Sequence, residues 1–507
     1  MTRSSRFRLK RLWNAFCWML AGATSCLASA SDHFSFDEHA RAVYRDLLQL
    51  DFERCDAALE NVRINASGAG ARNFAYLLLE NERDFFRLFV YERNGEFERL
   101  KGNRDKRLKR LQHSELDAKW KQFLQAEIEL QWALVHMKRD KPFRGIQLML
   151  SAHRLIADGM ERYPDFYPFR KSAGILTALL ATIPPEYQWA SRLAGLHGDV
   201  REGRVLLESF IEASAKSDSF LIEEALAARS FVSCYLENDP QTAYRYWIRA
   251  AGLGEPGPLF AWVQVKLALR AGWNDAARNA LRALPARGFE RLPLLHYLQG
   301  LAELQALDPS AERHFSLFFD RYPGQNHRAE AWQKRAWHAF LQGDLARFQW
   351  CMNQCRETGP GLIDEDKQAF LDASSGIQPD ALLLRARLLS DGGYAERALQ
   401  LLKGGPPAYS HDDIRLTEYH YRLARIYQQL SEPKLALENF QTAIASGSSS
   451  SHLVCNAALQ SGILYESSGD KESARRHYEK VLSLDPDRYR NSLHQKARAG
   501  LSRLRSK

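Results

Sequence analysis

The chain has 507 residues, and its 70 lysines and arginines exceed its 61 acidic residues to give a formal net charge of +9. Five of the basic residues fall within the first eleven positions, and the rest of the chain carries only +4. So small an excess, without a set of stacking aromatic residues beside it, excludes the charge footprint of a nucleic-acid-binding protein. The length also exceeds that of one ordinary hydrophobic core, which favours a protein that grows by stacking repeated units.

Residues 1–30 have the layout of a secretory signal peptide. The basic start precedes an apolar stretch at 16–23, and small residues lead up to Ala30. We therefore predict cleavage between Ala30 and Ser31 and a secreted, periplasmic or cell-envelope location. Two alternatives stay open, namely a lipoprotein signal that anchors the chain through Cys26 and a mitochondrial transit peptide.

The sequence of residues 31–215 predicts an irregular α-helical region. Aromatic side chains are dense at 74–91 and 120–132. At helical spacing they favour a packed core over a binding platform. Asp199 precedes an amphipathic stretch and is predicted to cap a helix that begins near Val200.

Residues 216–375 predict degenerate helical hairpins, in which two amphipathic helices are joined by a short turn. The predicted pairs are 220–236 with 242–251, 260–271 with 274–284, 294–306 with 310–322, and 331–341 with 345–355. No stretch of the chain shows sustained alternation of apolar and polar residues, so we expect essentially no sheet.

Residues 376–507 contain the most regular pattern, because Ala398, Ala436 and Ala474 recur at a constant spacing of 38 positions. Each alanine opens the apolar face of a second helix, and an aromatic residue follows it in two units, at Phe440 and Tyr478. A small residue lets two helices approach closely, and the aromatic ring fills the space beside the contact. We predict three helical hairpins and a terminal capping helix, and hence an all-α solenoid over the whole chain.

This pattern resembles the tetratricopeptide repeat (TPR), a helix–turn–helix unit of about 34 residues. The chain is similar to TPR proteins of bacterial envelopes. A segment with Pro184, Pro185, His197 and Asp199 also resembles part of a eukaryotic TPR family that includes an outer-mitochondrial-membrane protein of yeast linked to the clearance of protein inclusions. The resemblance implies a helical scaffold that binds protein partners in a concave groove.

The sequence offers no set of residues that predicts catalysis, a cofactor or a metal site. Ser431 and Lys434 have the spacing of some acylating enzymes, but Pro433 lies between them in a predicted turn. Cys351 and Cys355 lack a second ligand pair, which favours buried thiols over a zinc site. The acidic residues at 364–366 are predicted to form a solvated turn. We therefore predict that the protein is not an enzyme and has neither a cofactor nor a small-molecule substrate.

The resemblance places a partner-binding groove on the first helices of the C-terminal hairpins. It implies that Arg387, Tyr421, Arg425 and Gln428 line this groove. The two arginines are suited to bind carboxylates of a peptide, and Tyr421 would supply an apolar anchor. Exposed helix residues without a partner are the alternative interpretation.

Two basic runs, at 101–110 and 475–507, are predicted to be solvated helix faces. Contact with an anionic membrane surface or an acidic partner is the alternative for each.

The leading hypothesis is a non-catalytic scaffold or adaptor that mediates protein–protein interaction in the periplasm or cell envelope. The first alternative is an envelope adaptor anchored by a lipid on Cys26. The second is an enzyme whose site lies in the N-terminal half, where acids and bases would converge in a pocket between Phe36 and Phe210.

Overall fold

The computed structural model describes residues 31–64, 72–93, 95–182, 198–215, 220–250, 257–406 and 414–505. The predictions for residues 1–30, which include cleavage after Ala30 and lipidation of Cys26, lie outside these residues. The same holds for the Pro184–Pro185 segment.

The described chain is built from helices in consecutive pairs. The N-terminal region contains α1 (Glu38–Leu48), α2 (Phe52–Ile64), α3 (Ala75–Phe86), α4 (Glu96–Leu100), α5 (Asn103–Gln112), α6 (Ala118–Lys138), α7 (Pro142–Arg162), α8 (Pro168–Leu180) and α9 (Val200–Ser214). The middle region contains α10 (Ile222–Phe231), α11 (Pro240–Ala250), α12 (Pro258–Arg270), α13 (Asn274–Ala283), α14 (Ala286–Arg291), α15 (Leu294–Gln305), α16 (Ala311–Arg321), α17 (Arg328–Leu341), α18 (Leu345–Thr358) and α19 (Asp364–Ser375). The C-terminal region contains α20 (Ala381–Asp391), α21 (Ala395–Leu402), α22 (Ile414–Gln429), α23 (Pro433–Ser446), α24 (His452–Ser467), α25 (Lys471–Ser483) and α26 (Arg490–Arg505).

The predicted all-α fold is confirmed. Among the described residues the only β-type pairing is an isolated parallel bridge between His33 and Asn73. The four predicted hairpins of the middle region are present as α10–α11, α12–α13, α15–α16 and α17–α18. One difference is a π-helical turn at Val232–Leu236, which continues α10. Asp199 caps α9 as predicted, because its carboxylate accepts a hydrogen bond from the Glu202 backbone N–H at 2.7 Å.

Consecutive helices pack against each other, and the pairs stack into a continuous array. The largest apolar core runs from Ala40 to Leu388, and smaller cores lie between the C-terminal hairpins. This distribution is expected of a solenoid, in which each unit buries its apolar face against its neighbours. The boundaries after residues 215 and 375 stay a prediction.

The spaced alanines are the contact points of the C-terminal hairpins. Ala398, Ala436 and Ala474 are all completely buried. In the last hairpin the ring of Tyr478 packs directly over Gly462, where a Cβ atom would lie only 2.8 Å from the ring. The small residues are therefore required for the close approach of the paired helices.

Two loops from distant parts of the chain meet at Gly272 and Gly393. Gly393 has a φ of +80°, and a Cβ atom there would lie 1.7 Å from the carbonyl oxygen of Gly272. Beside this contact the Asn274 backbone N–H donates to the Gly392 carbonyl at 3.3 Å. The turn between α12 and α13 is thereby fixed against the turn between α20 and α21.

No helix within the described ranges has both the length and the apolar character that a membrane span requires.

Candidate functional site

Two arginines from distant parts of the chain act electrostatically on Lys496 in the C-terminal repeats. Arg270 lies at the end of α12, Arg425 on α22 and Lys496 on α26. Desolvation lowers the pKa of Lys496, and the positive charges of Arg270 and Arg425 act in the same direction. We call these three residues the basic cluster. Arg270 and Lys496 form no ion pair with any residue in the described part of the chain.

Arg425 and Gln428, two of the predicted groove residues, are held together by a polar network. Arg425 donates hydrogen bonds to the Gln428 side-chain oxygen at 2.8 Å and to that of Gln460 on α24 at 2.9 Å. Both acceptors are neutral, so the positive charge of Arg425 is oriented but not neutralised. An oriented, uncompensated guanidinium is suited to bind a carboxylate.

Tyr421 belongs to the same network but is not an exposed anchor. Its side chain is only 6% exposed, and its hydroxyl accepts a hydrogen bond from the Asn456 amide at 2.8 Å. The structure therefore corrects its expected role, since the ring packs inside the α22–α23 hairpin and only the polar network reaches the surface. The resemblance placed Tyr421 in the groove, but its ring packs toward Phe440 on the second helix of the hairpin, with the ring centroids 6.1 Å apart.

Arg387 lies apart from this network. Its guanidinium stacks over the Trp337 ring at 4.8 Å, and its Nε atom is 3.6 Å from the Asp391 carboxylate. Its charge also faces Tyr489, a residue that precedes the last helix. Arg387 is thus partly neutralised, which makes it a weaker carboxylate ligand than Arg425.

The segment at 485–490 connects the last hairpins to the middle of the chain. The Arg488 guanidinium pairs with Asp372 of α19, while Asp487 lies 3.0 Å from the His452 imidazole and donates its backbone N–H to the Ser450 carbonyl at 2.7 Å. These contacts hold α26 across from the earlier repeats. They explain how Lys496 comes to lie near Arg270, although no local sequence pattern indicates that proximity.

A second candidate site is buried in the N-terminal region, where five helices meet. The Lys171 Nζ atom lies 2.8 Å from the Glu127 carboxylate and 2.9 Å from that of Glu224, and the Tyr44 hydroxyl donates to Glu224 at 3.2 Å. Glu82 completes the group, and its carboxylate accepts a hydrogen bond from Gln131 at 2.5 Å. We call Tyr44, Glu82, Glu127, Lys171 and Glu224 the acid–lysine cluster.

The charges of the acid–lysine cluster are strongly perturbed. Burial raises the pKa of Glu82 well above its ordinary value, and the Glu224 carboxylate acts in the same direction. Burial alone would lower the pKa of Lys171, but the Glu127 and Glu224 carboxylates outweigh that effect and raise it. Lys171 is therefore a cation among acids. Burial also raises the pKa of Glu224, so Glu82 and Glu224 are the members of the group that favour a bound proton.

The three carboxylates could be considered as metal ligands, because their nearest oxygens lie within 4.8 Å of one another. Lys171, however, already supplies the positive charge at hydrogen-bonding distance from two of them. A metal ion would have to displace an ammonium group that is 2% exposed. The donor set with lysine in place therefore does not fit a metal. The acids and the base that an enzyme would need do converge, but Glu82 and Glu127 are at most 1% exposed.

The expected solvated turn at residues 364–366 is wrong. These residues form the first turn of α19, and Asp366 is 1% exposed. Its carboxylate accepts hydrogen bonds from the backbone N–H groups of His327 at 2.7 Å and Glu330 at 2.8 Å. Asp366 thus caps α17 from a neighbouring helix, a role that the local sequence does not reveal. Burial raises the pKa of Asp366 to about 6, against the opposing effect of these bonds.

The expectation for the basic run at 101–110 is half correct. Arg104 and Arg107 turn inward and pair with Glu129 and Asp84, each at 2.6 Å. The other basic side chains of α5 are exposed.

The predicted buried thiols are confirmed, since the five described cysteines are free and buried. Burial raises the pKa of each, to about 11 at Cys351 and about 12 at Cys355.

The architecture and these sites together define an all-α helical-repeat protein. The tetratricopeptide repeat family matches at residues 456–488, which coincide with the α24–α25 hairpin, so the chain contains a tetratricopeptide repeat. This confirms the resemblance for the most regular part of the chain.

The chain also has structural neighbours. It is 13% identical to a chain of a structure of Naa15/Naa10 bound to HypK-THB, with a TM-score of 0.26. This match includes 92% of the present chain and 65% of that chain. It is 12% identical to a chain of the APC/C hetero-tetramer Cut9–Hcn1, with a TM-score of 0.25. This match includes 92% of the present chain and 96% of that chain. At these TM-scores the neighbours carry no argument about function. No curated protein sequence matches the chain.

Proposed function

We propose that the protein is a non-catalytic scaffold that binds an acidic segment of a partner protein at the basic cluster. Helical repeats present extended concave surfaces and use them for binding. The observation that carries the proposal is that Arg270 and Arg425 act electrostatically on Lys496, whose lowered pKa has no acidic group among its causes. A site that holds three like charges together is stabilised by an anion that binds between them.

The polar network around Arg425 adds specificity to this charge. Gln428, Asn456 and Gln460 offer amide groups beside the cluster, and their bonds to Tyr421 and Arg425 fix their orientation. Amides of this kind can bond the backbone of an extended peptide while the cations hold its carboxylates. The predicted ligand is therefore a peptide with acidic side chains, and phosphate groups or nucleic acid are not required.

Fluorescence anisotropy with a labelled deca-glutamate peptide tests the binding site. Replacing Arg270 and Lys496 with alanine is expected to weaken binding by at least about tenfold, because a hydrogen bond to a charged group contributes about 1.5–3 kcal/mol. The control variant carries alanine at Lys403 and Lys434, which are exposed on the repeats outside the cluster. Equal affinities of the two variants for the peptide would contradict the proposed site.

The location that we propose is the periplasm or cell envelope, with the first 30 residues acting as the export signal. The layout of that segment supports the proposal. Mass spectrometry of the mature N-terminus tests it. A chain that begins at Ser31 supports export by a cleaved signal, a lipid-modified Cys26 supports the anchored adaptor instead, and an intact start at Met1 contradicts both.

A further inference from the structure

A small cavity lies where the N-terminal region meets the middle region. Its volume is about 70 Å³, and we call it the Lys266 cavity. Its walls come from the end of α6, from α12 and α15, and from the loops before α17 and α19. A cavity of about 150 Å³ holds benzene, so half that volume suits a group of about three or four non-hydrogen atoms. A carboxylate on a single carbon has this size.

One side of the cavity is apolar. Leu294 and Leu298 lie one helical turn apart on α15, and both are buried. Ile363, in the loop before α19, adds a third aliphatic side chain to the lining. These groups offer nothing to a charge but pack well against a short hydrocarbon stem.

Glu92 and Lys138 on the polar side of the cavity neutralise each other. The Lys138 ammonium group pairs with one Glu92 oxygen and also donates to the Phe89 carbonyl at 2.5 Å. The other Glu92 oxygen accepts from the Asn326 side-chain amide at 2.8 Å and from the Asn326 backbone N–H at 3.4 Å. Both oxygens of Glu92 are therefore engaged, and its charge does not serve Lys266.

Lys266 is the cation of the cavity that has no partner. Its ammonium group makes no hydrogen bond or ion pair with any residue of the described ranges. Desolvation lowers the pKa of Lys266, and Lys138 acts in the same direction. Glu365 and Glu330 oppose this from a distance, and the Glu330 carboxylate instead accepts from the Tyr297 hydroxyl at 2.6 Å. A half-buried ammonium group of this kind is stabilised by an anion that reaches it.

The cavity adjoins the basic cluster through α12. Lys266 and Arg270 are four positions apart and lie on the same face of this helix. Their charges also act on a common neighbour, because both oppose the burial that raises the pKa of Cys234 to about 11. The cavity is thus open to two sources of carboxylate, a free short-chain acid and an acidic side chain of a peptide held at the basic cluster.

We propose that the Lys266 cavity binds one carboxylate group on a short apolar stem, with Lys266 as the residue that binds its charge. The peptide source rests on the proposed function, and the free acid does not.

Saturation-transfer NMR of the full chain with acetate tests the first source. Acetate is expected to bind at least about tenfold more tightly than acetamide, which has nearly the same shape without the charge. Lys266→Met keeps most of the side-chain volume and should weaken acetate binding at least about tenfold. Ile363→Phe fills the cavity without changing a charge and should also weaken it, so the test does not depend on the folding of one variant. The matched control is Lys434→Met, at an exposed position on α23, which should bind acetate like the unaltered chain.

Fluorescence anisotropy with the deca-glutamate peptide tests the second source. If acetate does not bind, Lys266→Met and Ile363→Phe should still weaken peptide binding, and Lys434→Met should not. Replacing Arg270 and Lys496 with alanine should weaken the peptide and leave acetate bound, so a failure of the basic cluster and a failure of the cavity give different results.

The proposal is overturned if neither ligand binds more weakly to Lys266→Met than to Lys434→Met. It is also overturned if Ile363→Phe leaves both affinities unchanged, because Lys266 would then act outside the cavity. Binding of acetamide as tight as that of acetate would show that the cavity selects shape without charge, and would overturn it as well.

Discussion

Replacing Lys171 with methionine removes the only cation from the acid–lysine cluster while nearly preserving the volume of the side chain. The Lys171 ammonium group lies 2.8 and 2.9 Å from two carboxylates and is 2% exposed. In the variant, Glu127 and Glu224 face each other across a buried space without a counter-charge. Breaking a buried ion pair in this way is expected to lower the free energy of unfolding by about 3–5 kcal/mol at pH 7.

The size of this loss should depend on pH, and its direction follows from the charges. A carboxyl left without its cation can take up a proton, which costs about 1.4 kcal/mol for each pH unit above its pKa. That cost falls as the solution becomes more acidic. The difference between the variant and the unaltered chain should therefore shrink by about 1.4 kcal/mol per pH unit and per protonated carboxyl between pH 7 and pH 5.

Urea unfolding followed by far-ultraviolet circular dichroism at several pH values measures this difference. Because a helical array can unfold in stages, the comparison applies to the transition in which the N-terminal helices are lost. Lys119→Met provides the control, because Lys119 lies at the start of α6 with a side chain that is 40% exposed, and its loss should change stability by less than about 0.5 kcal/mol. A loss below about 1 kcal/mol for Lys171→Met, or one that does not change with pH, would refute the assigned role of the cluster.

Three further predictions concern two buried acids and the contact between two loops. Glu82→Gln mimics the protonated acid. Because burial raises the pKa of Glu82 in the folded state, the unaltered chain loses stability as the pH rises above the pKa of this group in the unfolded chain. In urea titrations the variant should therefore become progressively more stable than the unaltered chain between pH 6 and pH 8. Asp366→Ala leaves the backbone N–H groups of His327 and Glu330, at the start of α17, without their acceptor and should cost about 2 kcal/mol. A change below about 0.5 kcal/mol in the free energy of unfolding from urea titrations would contradict the capping role. Gly393→Ala adds a Cβ atom at a positive φ against the Gly272 carbonyl and should cost at least about 2 kcal/mol in thermal unfolding; an unchanged melting temperature would show that the two loops do not meet.

The helices could be predicted because their signals are local. The apolar periodicity of each hairpin, the prolines that start α12 and α23, and the cap at Asp199 all lie within one or two turns of the element they define. The constant spacing of the buried alanines likewise reports a contact between neighbouring helices. Such features depend on sequence separations of tens of residues at most.

The buried charges could not be predicted in the same way, because their partners lie on distant helices. Glu82 and Asp84 are completely buried; Glu82 accepts a hydrogen bond from Gln131, 49 positions away, and Asp84 pairs with Arg107, 23 positions away. A signal was present in α3, where these acids interrupt an apolar run that begins at Leu77. A helix with charged residues inside an apolar stretch cannot place them all toward solvent, and some of them must be paired inside.

The predicted groove residues stay a prediction, and the proposed basic cluster shares only part of them. The family pattern indicated Arg425 and Gln428, and the structure joins them in one network. It could not indicate Arg270 or Lys496, because they reach the cluster only through the contacts of the 485–490 segment with α19 and α24. Long-range closure of a solenoid depends on the sum of many small rotations between repeats, which no single motif encodes.

Site-specific photo-crosslinking in cells tests the central claim most directly. A photoreactive amino acid at Gln460, which contacts Arg425, is expected to capture a partner peptide rich in aspartate and glutamate. The same probe at Glu479, exposed on α25, serves as the control and should not capture that peptide. The Gln460 adduct should disappear when Arg270 and Lys496 are both alanine. An adduct that persists in that variant, or one that forms equally at Glu479, would contradict a scaffold that binds acidic segments at the basic cluster.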